Sequence, residues 1–363
     1  MANLPHTDLI LAVNEGHRDV VRRLLDSGSN PNSADSQGNS LLILAMKAGH
    51  QEVVRMLLDS GANPDSADSQ GNSVLILAVK EGHLKMVPIL LQYRADTNSS
   101  DSRGHTALMF AVEQGHPEVV RLLLESGANA NSADIQGNSV LILALKAGNR
   151  DVIQLLLESG SNASSADSQG NSILILAVKA GNEELVNTLL EFGSNTKAAD
   201  SQGKTALMWA VERGHHEMVR KLLDFGSNPN AADSEGNSVL ILAGKAGHEE
   251  VVRMLLESGS NPNSSNSRGI TALMTAVELP HHEAARRLLE SGSNPHSADS
   301  HGNSVLILAA KAGHQEVVRI LLEFGSNPDS ADSQGKTALM WAVELGHDEV
   351  VRVLQEFKPD SRK

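Results

Sequence analysis

The sequence predicts an all-α repeat solenoid of helix-turn-helix units joined by hairpin-like finger loops, and three observations carry that expectation. A loop glycine recurs at Gly38, Gly71, Gly104, Gly137, Gly170, Gly203, Gly236, Gly269, Gly302 and Gly335, always 33 residues apart, and self-similarity at a fixed period of that size marks stacked repeats. Hydrophobic residues make up 40% of the chain but aromatic ones only 2%, which suits thin aliphatic layers better than one large core. Composition stays uniform over 363 residues, a length at which a globular chain usually divides into domains.

Each element has a local cause. In the unit opening at Gly38, Ser40 stands where an N-cap side chain satisfies the first free amides of a helix, and Gly49 ends that helix after about three turns. Leu41 to Met46 is almost wholly apolar, so this short helix is expected to be buried on several sides. The second helix begins near His50, and Pro117 is tolerated at the matching start because a first-turn amide has no partner. Val53, Val54, Leu57 and Leu58 form its apolar stripe; Gly61 stops it and Pro64 prevents its resumption. The finger follows as Asp68-Ser69-Gln70-Gly71, with Asp at the turn start and Gly where positive φ is needed. One such unit buries too little apolar area to offset its ordering entropy, so stability must come from stacking.

Gly-x-Thr-Ala-Leu-Met, Gly-His-x-Glu-Val-Val-Arg-x-Leu-Leu and Gly-Ala-Asn closely resemble the ankyrin repeat, and the match runs over residues 5–358. The resemblance implies a curved stack, with fingers and first helices lining its concave side, roughly 100 Å long at about 10 Å per layer. Residues 1–363 are read as one solenoid: an N-terminal capping repeat at 5–37, nine internal repeats over 38–334, a C-terminal capping repeat at 335–358 and a polar tail at 359–363. The last helix owes its capping role to a polar face of Asp348, Glu349, Arg352, Gln355 and Lys358. Family resemblance also makes Asn32, Asn131, Asn230 and Asn263 candidate sites of asparaginyl hydroxylation. Departures are visible. Leu279-Pro280-His281 replaces the usual x-Gly-His, so the turn between helices is expected to distort there.

Composition removes several function classes. The formal charge of -14 argues against a surface that tracks nucleic-acid phosphates. The absence of cysteine excludes disulfides, thiolate metal sites and a Cys nucleophile. No apolar run approaches a membrane span and the first residues lack a signal-peptide pattern, so a cytoplasmic, intracellular, soluble protein is expected. His17, His50, His83, His116, His215, His248, His314 and His347 share one position, but at about 10 Å per layer they are too far apart to share a zinc ion. His216-Glu217 and His282-Glu283 begin a metalloprotease motif that Arg220 and Arg286 then break. No metal, cofactor or catalytic residue is expected, and the chain is read as a non-enzyme.

The candidate partner-binding residues fall into three sets. Lys47, Lys80, Glu113, Lys146, Lys179, Glu212, Lys245, Glu278, Lys311 and Glu344 form a ladder on the first helices; they either select a partner of complementary charge or pair with one another between repeats. Phe110, Trp209 and Trp341 share one position in three of the four units that begin Thr-Ala-Leu-Met, with Thr275 filling it in the other, and are read as binding anchors or as core. Most finger tips read Ser-Gln, with exceptions at Arg103, Ile135, Glu235, Arg268 and His301. The expected function is a monomeric scaffold or adaptor that binds another protein through the concave face and fingers. The alternative is a structural spacer, or a duplicated or designed array without a dedicated partner.

Overall fold

The computed structural model describes residues 4–357, with side chains from Asp8 onward; Lys358 and the tail at 359–363 lie outside the described residues. Twenty-two α-helices alternate along the described residues, and no strand forms among them. They divide into two compact units, residues 1–168 and 169–363. The first unit holds five helix pairs, beginning with Leu4–Glu15 and Arg18–Asp26 and ending with Val140–Ala147 and Arg150–Glu158. The second holds six, from Ile173–Lys179 and Glu183–Glu191 to Ala338–Glu344 and Asp348–Glu356.

First helices start as the sequence predicts. Ser40 lies in extended backbone and its hydroxyl accepts the Ile43 N–H at 3.3 Å, and Thr205 does the same for Met208 at 3.4 Å. Leu41, Leu42, Ile43, Ala45 and Met46 are all buried, as is the second-helix stripe Val53, Val54, Leu57 and Leu58. Isolated antiparallel bridges, from Ala34 with Ser40 to Ala331 with Thr337, close the fingers.

The shared histidines cap nothing with their side chains. The His50 ring reaches back to the Asn14 carbonyl at 3.0 Å, His314 to Glu278 at 3.1 Å and His347 to Lys311 at 3.0 Å, each linking the start of a second helix to the first helix of the preceding repeat. This arrangement needs glycine beneath the ring: at Gly16, with φ of 73°, a Cβ would lie 2.7 Å from the His50 imidazole. Where Asn149 and Asn182 replace histidine, their carbonyl oxygens become true N-caps for Val152 and Leu185.

A second set of bonds runs along the outer loops. Asn32 donates its amide to the Gly61 carbonyl at 3.1 Å and accepts the Asn63 N–H at 2.8 Å. Asn98, Asn131, Asn230 and Asn263 make the same pair of bridges to the following repeat.

Two repeats deviate. In the third, a 3₁₀ turn at Leu84–Met86 precedes the helix Val87–Gln92, whose Pro88 lacks an N–H to donate; Arg94 then stands at the glycine position and adopts φ of 61°. In the ninth, the expected distortion occurs: Leu279 ends its helix in extended backbone, at φ −107° and ψ 152°, and His281 donates to Leu279 O at 2.7 Å. In the last repeat, Gly346 turns left-handed at φ 71° and His347 donates to Ala342 O at 2.9 Å. Pro280 has replaced the residue that permits that turn.

Candidate functional site

The finger aspartate, legible in the sequence only as a turn former, organises the polar face. Asp200 Oδ1 accepts the backbone N–H groups of Gln202 and Lys204, both at 3.0 Å, which rigidifies the finger. Its Oδ2 accepts the Trp209 indole N–H at 2.9 Å and lies 3.4 Å from Lys179 Nζ. The Lys179 ammonium sits 4.1 Å from the Trp209 ring centroid and Lys204 sits 4.7 Å away, so two cations lie over the half-buried indole. Trp341 repeats the arrangement, with Asp332 at 2.7 Å, Lys311 at 4.0 Å and Lys336 at 4.1 Å. Phe110 is buried, with Lys80 above it at 5.5 Å. The tryptophans are thus neither plain core nor free anchors; they are wedges locked by the fingers.

Burial pushes the carboxyls of Asp68, Asp134, Asp200 and Asp299 up, but their side-chain and backbone N–H donors outweigh it and hold each below the ordinary carboxylate range.

The charge ladder bonds to fingers. Lys80, Lys146, Lys179 and Lys311 donate to the asparagine eight residues earlier, at 3.3, 2.8, 2.9 and 2.6 Å. Lys47 reaches Asp68 of the next finger at 3.5 Å. The glutamates face a nitrogen from the same offset: the His105 imidazole lies 3.8 Å from Glu113, the Lys204 ammonium 2.6 Å from Glu212, and Lys336 pairs with Glu344. The eight-residue pairing of Asn with Lys, and of His or Lys with Glu, was the sequence signal that could have revealed these bonds.

One place breaks the pattern. Ile270 stands where Glu278 needs a cation, and Asn266 where Lys245 needs an anion. The Lys245 ammonium, the Glu278 carboxylate and the Arg268 guanidinium therefore have no hydrogen-bond or ion-pair partner among the described residues, and all three residues line a cavity of about 340 Å³. Burial and the Asp299 carboxylate push the Glu278 carboxyl above its ordinary value, against a smaller opposing effect of Arg268. The tip residues Arg103, Glu235, Arg268 and His301 are exposed, as is Ile135; Arg103 approaches its own finger's Asp101 at 3.6 Å.

The family model of ankyrin repeats, three copies at a time, matches residues 9–101, 94–167, 141–233, 174–266, 217–299 and 273–362. The chain belongs to the ankyrin-repeat family. No curated protein matches it. Ankyrin repeats are generally protein–protein interaction modules, and the ankyrin-repeat family is generally non-catalytic. Among the described residues of this ankyrin chain, no helix is long and apolar enough to cross a membrane. The ankyrin loop asparagines considered for hydroxylation, Asn32, Asn131, Asn230 and Asn263, are exposed, but both ends of each carboxamide are engaged in inter-repeat bridges.

Proposed function

We propose that this chain is a non-catalytic scaffold or adaptor that binds a partner protein through the face formed by its first helices and fingers. The observation that carries the reading is the prior fixation of that face. Lys179, Trp209 and Glu212 are held by finger residues before any partner arrives, so binding forgoes part of the roughly 0.5–1.5 kcal/mol that each freshly immobilised side chain costs. The second helices carry Glu/Arg pairs such as Glu349 with Arg352 at 2.9 Å, both exposed, and such pairs contribute little. On this reading the exceptional tips choose the partner, and the chain works as a cytoplasmic monomer.

Because Lys179 and Glu212 hold Trp209 in place, the tips give the cleaner test. The triple variant Arg103→Gln, Ile135→Ser, His301→Gln returns three tips to the common Ser-Gln pattern. Partner capture from a lysate of the source organism is expected to fall at least tenfold while the thermal midpoint stays put. Undiminished capture would sink the assignment of this face.

A further inference from the structure

Positions that the repeats share hold the repeats together; several positions where they differ, Asn266, Arg268, Ile270 and Thr275, meet at one cavity. Its walls come from the helices Val239–Ala246 and Ala272–Glu278 and from the fingers before them. The lining corresponds residue by residue to the surroundings of Trp209 and Trp341. Lys245 stands where Lys179 and Lys311 lie over an indole, Asn266 where Asp200 and Asp332 receive its N–H, and Ile270 where Lys204 and Lys336 also lie over the ring. Thr275 stands where the indole itself would be.

Threonine does not fill that room. Its hydroxyl turns inward, donating towards Ala272 O at 2.8 Å and lying 3.2 Å from Ile241 O. It packs against Gly244, where a Cβ would fall 2.8 Å from Thr275 Oγ1 and 2.5 Å from Ala272 O. The two helices have closed on each other at that point, and the outer space is left open. Its volume, about 340 Å³, lies at the lower end of the range for small-ligand sites, about 300–1,000 Å³. A cavity of about 360 Å³ in the other unit, at Arg103, Glu113 and Lys146, is different in kind. There Leu143 fills the aromatic position and the three charges are already engaged, with Asp101, His105 and Asn138.

We propose that the cavity at Lys245, Ile270 and Thr275 receives an aromatic side chain, best a tryptophan, presented by the partner protein. This rests on the scaffold reading above. The incoming ring fills the room that Trp209 and Trp341 fill in their own repeats, but with its N–H turned outward to solvent or to the partner, because both ends of the Asn266 carboxamide are already engaged, with the Arg268 and Ile270 N–H groups and with Asn237. One face lies beneath the free ammonium of Lys245, and the other lies against Ile270, an apolar wall where the sister repeats carry lysine. An exposed cation over a ring gives a modest attraction that grows as the site is covered, and a buried aromatic anchor in a pocket is where interfaces concentrate their energy.

The test uses the full chain with labelled Ile and Leu methyl groups, titrated with N-acetyl-L-tryptophanamide and, in parallel, with N-acetyl-L-leucinamide. Saturable shifts at Ile241, Leu242, Ile270 and Leu279 are expected with the tryptophan probe alone. Thr275→Trp should abolish them by occupying the cavity, and Lys245→Ala should weaken binding about threefold or more. The double variant Gly244→Ala, Thr275→Trp reproduces the Ala310 and Trp341 pair and serves where the single variant packs badly. Equal shifts with both probes, or shifts that survive in the filled variants, overturn the proposal. A free aromatic molecule that co-purifies with the chain in native mass spectrometry overturns the partner's side chain as the occupant. A partner lost with the tip variant but retained by Thr275→Trp overturns the pocket and leaves the scaffold reading standing; tryptophan-specific shifts without any captured partner do the reverse.

Discussion

Asp200→Asn isolates the part of the network that matters most. Asparagine can serve as a finger residue here, since Asn266 Oδ1 accepts the N–H groups of Arg268 and Ile270 at 3.0 and 2.9 Å. What it cannot do at position 200 is accept on its second atom, which turns an N–H toward the Trp209 indole N–H and the Lys179 ammonium. Losing the acceptor of a partly buried indole N–H costs about 1–3 kcal/mol. The Lys179 pair, whose ammonium end is 26% exposed, adds about 1 kcal/mol or less. A total of about 1–4 kcal/mol is expected. The control is the Trp209→Thr background, which copies the ninth repeat: there the indole loss disappears, and the same substitution should cost about 1 kcal/mol or less, a coupling of about 1–3 kcal/mol. Urea unfolding followed by far-UV circular dichroism gives the four midpoints of the cycle. Because repeat arrays can unfold in parts, hydrogen exchange at the Gln202 and Lys204 amides, which Asn should preserve, separates loss of the wedge from loss of the finger. An equal cost in both backgrounds would refute the reasoning.

Three further outcomes are expected. The finger carboxyls have folded values below their unfolded ones, so the stability they contribute is complete above about pH 4 and is lost as pH falls through the folded values. His248, whose imidazole is pushed down first by burial and then by His216 and His281, adds a loss that starts as pH falls below about 6.5; urea midpoints across pH 3–8 check both. Arg94→Gly should stabilise the chain by about 1 kcal/mol, because a non-glycine residue at φ 61° carries about 1–3 kcal/mol of strain, only part of which glycine's extra unfolded-state freedom cancels; an unchanged or lower midpoint would contradict this. Pro280→Gly should let position 280 turn left-handed and restore the bond from His281 N–H to Ala276 O, seen as slower exchange at the His281 amide.

Local chemistry was legible before any coordinates. Ser40 and Thr205 cap helices, Gly49 turns left-handed, and the loss of glycine at Pro280 distorts the turn, because each effect is decided within a few neighbouring residues. The links from His50 to Asn14 and from Lys47 to Asp68 were not, since they depend on which side chains meet when one layer lies on the next. The lysines and glutamates were legible as a ladder that either selects a partner or pairs between repeats, but not their bonds to the fingers; the two whose charged ends have no such bond, Lys245 and Glu278, are set apart by changes at Asn266 and Ile270 rather than by their own identity.

The outer amide bridges set a rule for how such a gene can grow. Asn32 and its equivalents reach atoms 29 and 31 residues downstream, and His50, His314 and His347 a carbonyl 36 residues upstream. A recombination event that inserts a whole 33-residue unit re-forms every one of these links between new neighbours. Insertion of a single codon within a unit displaces donor from acceptor in the layers on either side. Array length is therefore free to change by whole units while the reading of each unit stays fixed, and a chain assembled this way acquires individuality only by point changes such as those around Thr275.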